Sequence, residues 1–98
     1  MKIVRCGTWL YDGSVERPVD IVALNFDWWY ELAKADDQLE EGEEPMPLGP
    51  DGTLYYARFQ RAGDPSSPTS VDTPGHQSLH AAMSAAELKV SGGITWQK

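Results

Sequence analysis

The sequence predicts one α+β domain over residues 1–98: a two-layer sandwich in which two helices cover one face of a mostly antiparallel sheet of about four strands. Two observations predict this class. Short apolar segments of strand length are separated by turn residues, and two other segments repeat apolar residues at helical spacing. The predicted order is strand, strand, helix, strand, helix, strand. A chain of 98 residues has the length of one domain.

The first two strands are predicted at residues 2–11 and 15–24, joined by the hairpin signal Asp12-Gly13. Both faces of the first strand carry bulky side chains, so both faces are expected to be covered. Gly7, in the middle of this strand, predicts a bulge or a close contact with another segment.

The first helix is predicted to begin at Asp27, whose carboxylate is suited to cap the first turn. Its apolar residues fall in one narrow stripe, which indicates a helix that packs on the sheet as part of the core. This stripe consists of Trp28, Leu32, Ala35 and Leu39. The acidic run at residues 40–44, together with Gly42 and Pro45, is expected to end the helix, because carboxylates at a helix C-terminus oppose the dipole.

The third strand is predicted at residues 53–61, and turn residues mark where it begins. Its core side is predicted to carry Tyr55, Ala57 and Phe59. The opposite side ends near Arg58, which is expected to meet solvent or a partner.

The last third of the chain begins with residues 62–75, which are rich in proline and small polar residues. They are predicted to be a flexible loop that adds nothing to the core. Ser78 is predicted to cap a second helix that ends near Lys89, followed by a short strand at residues 94–96. A hairpin over residues 87–97 is the alternative.

The negative charge of the chain is concentrated in one stretch. The net charge is −7, and residues 27–44 contain eight acids and one base, so the rest of the chain is neutral. This negative face repels phosphate backbones, which argues against nucleic-acid binding, and it attracts a basic protein partner. No apolar segment has the length of a membrane-spanning helix, and a lone cysteine, Cys6, favours a reducing cytoplasm.

The sequence contains no recognisable catalytic, cofactor-binding or metal-binding motif. His76 and His80 are four residues apart, a spacing that can bind one metal on a helix, but no third ligand follows from the sequence. The carboxylates cluster in one exposed run, which is not the buried or paired setting of a catalytic acid. We therefore expect no cofactor and no metal, and favour a non-enzymatic function. The alternative is a small enzyme or ligand-binding domain with a pocket under residues 62–75, using His76, His80, Arg58 and Tyr56.

The function that the sequence favours is a protein-interaction domain that acts through the acidic end of the first helix and nearby aromatic residues. A tryptophan at the rim of a helix, beside acids, is suited to a protein contact or a cationic ligand. The candidate binding residues are Trp29, Tyr30, Glu40, Glu41, Glu43 and Glu44. A homodimer contact is a further expectation, through a sheet face that carries Trp9, Tyr11 or Tyr56.

Overall fold

The structure is a computed structural model that describes residues 2–64 and 71–97. Its elements, in chain order, are β1 (Lys2–Tyr11), β2 (Val15–Leu24), α1 (Trp28–Ala35), β3 (Leu54–Arg58), α2 (Leu79–Glu87) and β4 (Thr95–Trp96). The strands form one antiparallel sheet in the order β3-β2-β1-β4. The predicted α+β class, the four-stranded sheet and the order of the elements are confirmed.

The hairpin of β1 and β2 forms as predicted. Asp12 and Gly13 both adopt positive φ angles, 54° and 71°, which is the pattern of the two-residue turns that match the twist of a hairpin. Gly7 is required where β4 pairs with β1. A Cβ atom at this position would lie 2.9 Å from the side chains of Ile94 and Trp96. The predicted close contact at Gly7 is therefore confirmed.

Two clusters of apolar side chains cover opposite faces of the sheet. The first comprises Val22, Leu24, Leu54, Tyr56 and Val71, with Ile3 and Trp28 packed against it. The second comprises Ile21, Ala57, Ala82 and Ala86, with the partly buried residues of α2 and β4 packed against it. Successive strand residues point to opposite faces of the sheet, and the neighbours Tyr56 and Ala57 belong to the first and the second cluster, respectively. Trp28 of α1 therefore lies on one side of the sheet, and α2 lies on the other. The prediction that both helices cover one face is wrong, because β2 is apolar on both faces and each face needs a cover.

Helix α1 is shorter than predicted and ends before the acidic run. The amide of Asp37 donates to Lys34 O at 3.2 Å, and the amide of Gln38 donates to Ala33 O at 2.8 Å. This pair of bonds, with Asp37 at φ 55°, is a Schellman motif. The predicted extension to Leu39 is therefore wrong.

The burial of α1 also differs from the prediction. None of its eight residues is buried, and Leu32, assigned to the inner stripe, is 40% exposed. Only Trp28 is packed against a core cluster. An isolated helix of this length is unstable in water, so α1 depends on the contacts at its first turn.

Strand β3 is buried on both faces. Tyr56, Ala57 and Arg58 are each 0% exposed, so the side that was expected to reach solvent at Arg58 is as deeply buried as the predicted core side. The expectation for Arg58 is wrong because it forms an ion pair inside the protein with Asp20 of β2.

Residues 71–76 follow the outer edge of β3. The amide of Asp72 donates to Ala57 O at 2.8 Å, and Tyr55 and His76 exchange backbone hydrogen bonds of 2.7 and 2.9 Å. Val71 is 3% exposed, so this part of the predicted 62–75 loop contributes to the core after all. Residues 65–70 lie outside the described residues.

The end of the chain follows the first of the two predicted alternatives. The Ser78 hydroxyl accepts a hydrogen bond from the Ala81 amide at 3.1 Å, as expected of an N-cap. Helix α2 ends at Glu87, two residues before the predicted Lys89. Strand β4 then pairs with β1, so a helix and a strand form in place of the hairpin.

One buried ion pair joins β2 to β3. The guanidinium of Arg58 donates to both carboxylate oxygens of Asp20, at 2.9 and 2.7 Å, and both side chains are fully buried. The amide of Gly63 also donates to Asp20 at 2.7 Å, and Arg58 donates to Asp64 O at 3.2 Å. The pair therefore holds residues 63 and 64 against the sheet.

We expect Asp20→Asn to lower the free energy of unfolding by about 3–5 kcal/mol, because Arg58 then keeps a buried charge without a counter-charge on β2. Urea unfolding measures this loss. The double variant Asp20→Leu/Arg58→Met is expected to recover most of it, since neither charge is then buried. A double variant as unstable as Asp20→Asn would show that the hydrogen bonds to Gly63 and Asp64 matter more than the charges.

Candidate functional site

The start of α1 is fixed by the carboxylate of Asp27. Its Oδ1 accepts a hydrogen bond from the Tyr30 amide at 3.2 Å, so the predicted N-cap is confirmed. Its Oδ2 accepts a second bond, from the Met46 amide at 2.8 Å. One side chain therefore ties the first turn of α1 to the segment that returns from the acidic run.

The hydroxyl of Tyr56 also forms hydrogen bonds at the start of α1. It accepts a hydrogen bond from the Trp28 amide at 2.9 Å and donates to Phe26 O at 3.4 Å. Burial in the core raises the pKa of Tyr56 above its ordinary value, the Trp28 amide acts in the opposite direction, and the nearby Asp27 charge raises it further. The hydroxyl therefore stays protonated at neutral pH and acts as an anchor.

Trp29 is held firmly and yet remains exposed. Its indole N–H donates to Thr73 O at 2.8 Å, and its ring meets the ring of Trp28 edge to face, with centroids 4.7 Å apart. Trp29 is nevertheless 43% exposed. The polar atom of the side chain is satisfied inside the protein, while part of its apolar ring faces solvent.

Two other exposed apolar side chains, Leu32 and Met46, belong to the same region as Trp29. Leu32 lies one helical turn further along α1 on the same side, and Met46 is 39% exposed. An open depression of about 440 Å³ is lined by Asp27, Trp29, Met46 and residues 72–75, whereas Leu32 is not part of its lining. The start of α1, the connector that follows this helix (residues 36–53) and residues 72–75 along the edge of β3 thus meet at one apolar depression.

Carboxylates line the path of the connector. The chain leaves the C-terminus of α1 at residue 36 and returns to its N-terminus at Met46, so residues 36–45 run back past a helix about 12 Å long. The exposed carboxylates of this region belong to Glu31, Asp36, Asp37, Glu40, Glu41, Glu43 and Glu44. We call these side chains, together with Trp29, Leu32 and Met46, the acidic–apolar surface.

Five of the six predicted binding residues belong to this surface by its definition, and their role in binding stays a prediction. Trp29 and the four glutamates are exposed, whereas Tyr30 is half-buried. Glu43 also shapes its own turn, because its carboxylate accepts a hydrogen bond from the Glu40 amide at 2.9 Å. Sequence reasoning missed Leu32 and Met46.

The predicted site also lacks residues 72–75, because the composition of residues 62–75 predicts a loop without core contacts. The alternation of Val71 and Thr73 with polar neighbours was the available signal, since both are buried against β3.

The alternative site does not come together in the structure. Tyr56 and Arg58 are fully buried on the face that carries Trp28, while α2, with the exposed His80, packs on the other face. His76 precedes α2 and pairs with Tyr55, so the two histidines do not share one helix. None of these four side chains lines the depression beside Trp29. Among residues 2–64 and 71–97, no three His, Cys, Asp or Glu side chains are grouped to hold a metal ion.

The residues expected at a homodimer contact are also separated. Tyr56 lies in the core, and Trp9 is half-buried, in edge contact with Tyr11 and Phe59 at centroid distances of 6.0 and 6.1 Å. Tyr11 is 54% exposed at the end of the β1–β2 hairpin. The homodimer stays a prediction, and of its three residues only Tyr11 offers a largely exposed ring.

Known protein families, curated proteins and solved structures give no match to this chain. In the part of the chain that the structure describes, neither helix has the length and apolarity needed to cross a bilayer. The geometry of the acidic–apolar surface is therefore the basis for assigning a function.

We expect Tyr56→Phe to lower the free energy of unfolding by about 1–2 kcal/mol at neutral pH, because the Trp28 amide loses its acceptor. The folded-state pKa of Tyr56 lies above its ordinary value of 10.0, so the unfolded chain ionises first as the pH rises. The contribution of the hydroxyl is therefore complete below the unfolded pKa and decreases as the pH rises through the folded pKa.

Urea unfolding of both proteins at about pH 7, 9 and 10.5 tests this expectation. The stability difference is expected to be constant between the two lower values and to shrink at the highest. Tyr11→Phe, at a side chain that is 54% exposed, serves as the control for removing a tyrosine hydroxyl and is expected to change the free energy of unfolding at pH 7 by no more than about 0.5 kcal/mol. A difference between wild type and Tyr56→Phe that is the same at all three pH values would contradict the role assigned to Tyr56.

Proposed function

We propose that this chain is a non-enzymatic interaction domain that binds a basic region of a partner protein through the acidic–apolar surface. The observation that carries this proposal is the state of Trp29. Its ring is held by a hydrogen bond and by an aromatic contact, but 43% of the side chain is exposed. An exposed apolar ring of this size, next to further exposed apolar side chains, is typical of protein contact sites.

The fixed position of Trp29 favours binding energetically. Ordering a free side chain at an interface costs about 0.5–1.5 kcal/mol, and a ring that is already held avoids most of that cost. Its indole N–H needs no acceptor from the partner because Thr73 O supplies one. The partner therefore gains contact area without leaving a polar group unpaired.

The charges around Trp29 define the partner. Residues 27–44 carry eight acids and one base, and the acids outside the capping position are exposed. Such a surface accelerates association with a positively charged protein and opposes contact with nucleic acid. The reducing cytoplasm that the lone Cys6 favours is the compartment we propose for this binding.

The test begins with capture of a partner from the cells that make this protein, using the wild-type chain as bait. The partner is then purified and its affinity is measured against three variants. Trp29→Ala is expected to weaken binding by at least about 30-fold, as for a central aromatic anchor. The combined change Glu40→Lys, Glu41→Lys and Glu44→Lys is expected to weaken it by about tenfold or more at low salt and to remove its salt dependence.

Two features of this design separate binding from folding. Glu43 is left unchanged because its carboxylate supports the turn at Glu40. Leu88→Ala is the matched control, since Leu88 is 88% exposed and follows α2, which packs on the other face of the sheet from Trp28. Unchanged affinity in Trp29→Ala, or an equal loss in Leu88→Ala, would overturn the proposal.

A further inference from the structure

We propose that residues 26–47, which we call the α1 strap, open and close as one unit on a sheet that stays folded. The strap consists of α1 and most of the connector that follows it, and it carries the whole acidic–apolar surface. Opening therefore dismantles that surface without unfolding the rest of the protein. The opening follows from the structure of the free chain, whereas its effect on partner binding rests on the proposed function.

The sheet itself joins the two ends of the segment that contains the strap. Leu24 is the last residue of β2 and Leu54 is the first residue of β3, and these two buried residues are partners in the antiparallel ladder. Residues 25–53 leave the sheet at this pair and return to it. All the residues that pair β2 with β3 lie outside this segment, so the strap can detach while each strand keeps its neighbours.

Apolar burial contributes little to holding the strap in place. None of residues 25–53 is buried, whereas most of the residues that pair β2 with β3 are. Trp28 packs against the first core cluster, but it is itself only partly buried. A segment with few buried apolar contacts opens at a lower free energy than the core on which it lies.

Side-chain hydrogen bonds at the two ends of the strap provide its attachment. Among the described residues, these bonds join Trp28 N and Phe26 O to the Tyr56 hydroxyl, the Trp29 indole to Thr73 O, and Pro47 O to the Gln77 amide, at 2.8–3.4 Å. Each has a modest net value, because the released groups bond to water instead. Asp27 bonds to the Met46 amide inside the strap, which connects its two ends to each other and makes it one unit.

The position of Trp29 links the opening to partner binding. Its ring is held against Thr73 in the closed form, and the bond that holds it is lost when the strap opens. A partner that binds the acidic–apolar surface therefore selects the closed form, and the open fraction lowers its apparent affinity. The stability of closure thus regulates binding without any change in the residues that the partner contacts.

The test is native-state hydrogen exchange of the free ¹⁵N-labelled chain, followed by NMR. The reporters are the amides of Glu31, Asp36 and Gln38, which donate to carbonyl groups inside the strap. Their protection factors are compared with those of the amides that pair β2 with β3. We expect the three reporters to share one protection factor within about threefold, and this factor to be at least about tenfold smaller than that of the sheet.

Two variants separate opening of the strap from unfolding of the whole chain. Ile21→Val removes a methyl group from the second core cluster, which contains no strap residue. It is expected to lower the protection of the sheet about twofold to tenfold and to leave the reporters unchanged. Ala86→Gly, in the same cluster, is the second variant for this purpose. Trp29→Phe keeps an apolar ring but removes the donor to Thr73 O, and it is expected to lower the protection of the reporters about twofold to tenfold.

The outcomes distinguish this inference from global unfolding and from fraying. Reporters that are as protected as the sheet, or that lose the same factor as the sheet in Ile21→Val and Ala86→Gly, would overturn it. Three unrelated protection factors would show fraying of single residues, and reporters unaffected by Trp29→Phe would show that the bond to Thr73 does not hold the strap; either result also overturns it. One shared, low protection factor that responds to Trp29→Phe but not to the core variants supports it.

Failure of this inference and failure of the proposed function are distinguishable, because the exchange experiment uses the free chain. A strap that unfolds only with the sheet leaves the binding of a basic partner untouched. A chain that binds no basic partner leaves the opening of the strap untouched.

Discussion

The hydrogen bonds at the first turn of α1 determine where the acidic residues of this protein lie. Asp27 binds both the Tyr30 and the Met46 amides, and the Tyr56 hydroxyl binds the Trp28 amide. None of the residues of α1 is buried, so apolar burial alone does not position this helix. An eight-residue helix without a buried face depends on tertiary contacts for its existence. The acidic–apolar surface therefore exists because a core tyrosine and one aspartate hold both ends of the segment that forms it.

The position of the helix end has the same physical origin. Each further turn of α1 would place acids of the 40–44 run at the negative end of the helix dipole, which is unfavourable. The chain instead leaves the helix at Asp37, in a left-handed conformation, and the carboxylates go into exposed turns. Leu32, which lies one turn after Trp29 in this short helix, remains 40% exposed.

Local patterns were sufficient to predict much of the fold. The hairpin at Asp12-Gly13 and the caps at Asp27 and Ser78 involve neighbours within a few residues, and the sequence contains all the partners concerned. The burial of Arg58 was not predictable in this way, because its partner Asp20 is 38 residues distant in the chain. An arginine at the end of an alternating strand is predicted to be exposed unless its partner of opposite charge is known.

The candidate site could be predicted only in part for a similar reason. Trp29 and the acidic run are visible in the sequence, and the structure exposes both. The depression depends on residues 72–75, which lie near Trp29 because residues 71–76 align along β3. A Pro-rich and polar composition predicts a loop, but it carries no information about which edge of a sheet the loop follows. Thr73, which is buried, also has the composition of a loop residue, and only the structure shows that its hydroxyl accepts a hydrogen bond from the Ala57 amide.

The acids of this protein lie in two different environments, the core and the exposed surface. The acid of β2 at the core, Asp20, is neutralised by Arg58 through two direct hydrogen bonds. The acids of residues 36–44 have one base, Lys34, near them in the sequence, so they repel one another in the folded state. This repulsion is tolerable because the groups are exposed and screened by salt. A cationic partner that settles on the acidic–apolar surface would relieve the repulsion as well as cover Trp29, so the same arrangement that slightly disfavours the free protein favours the complex.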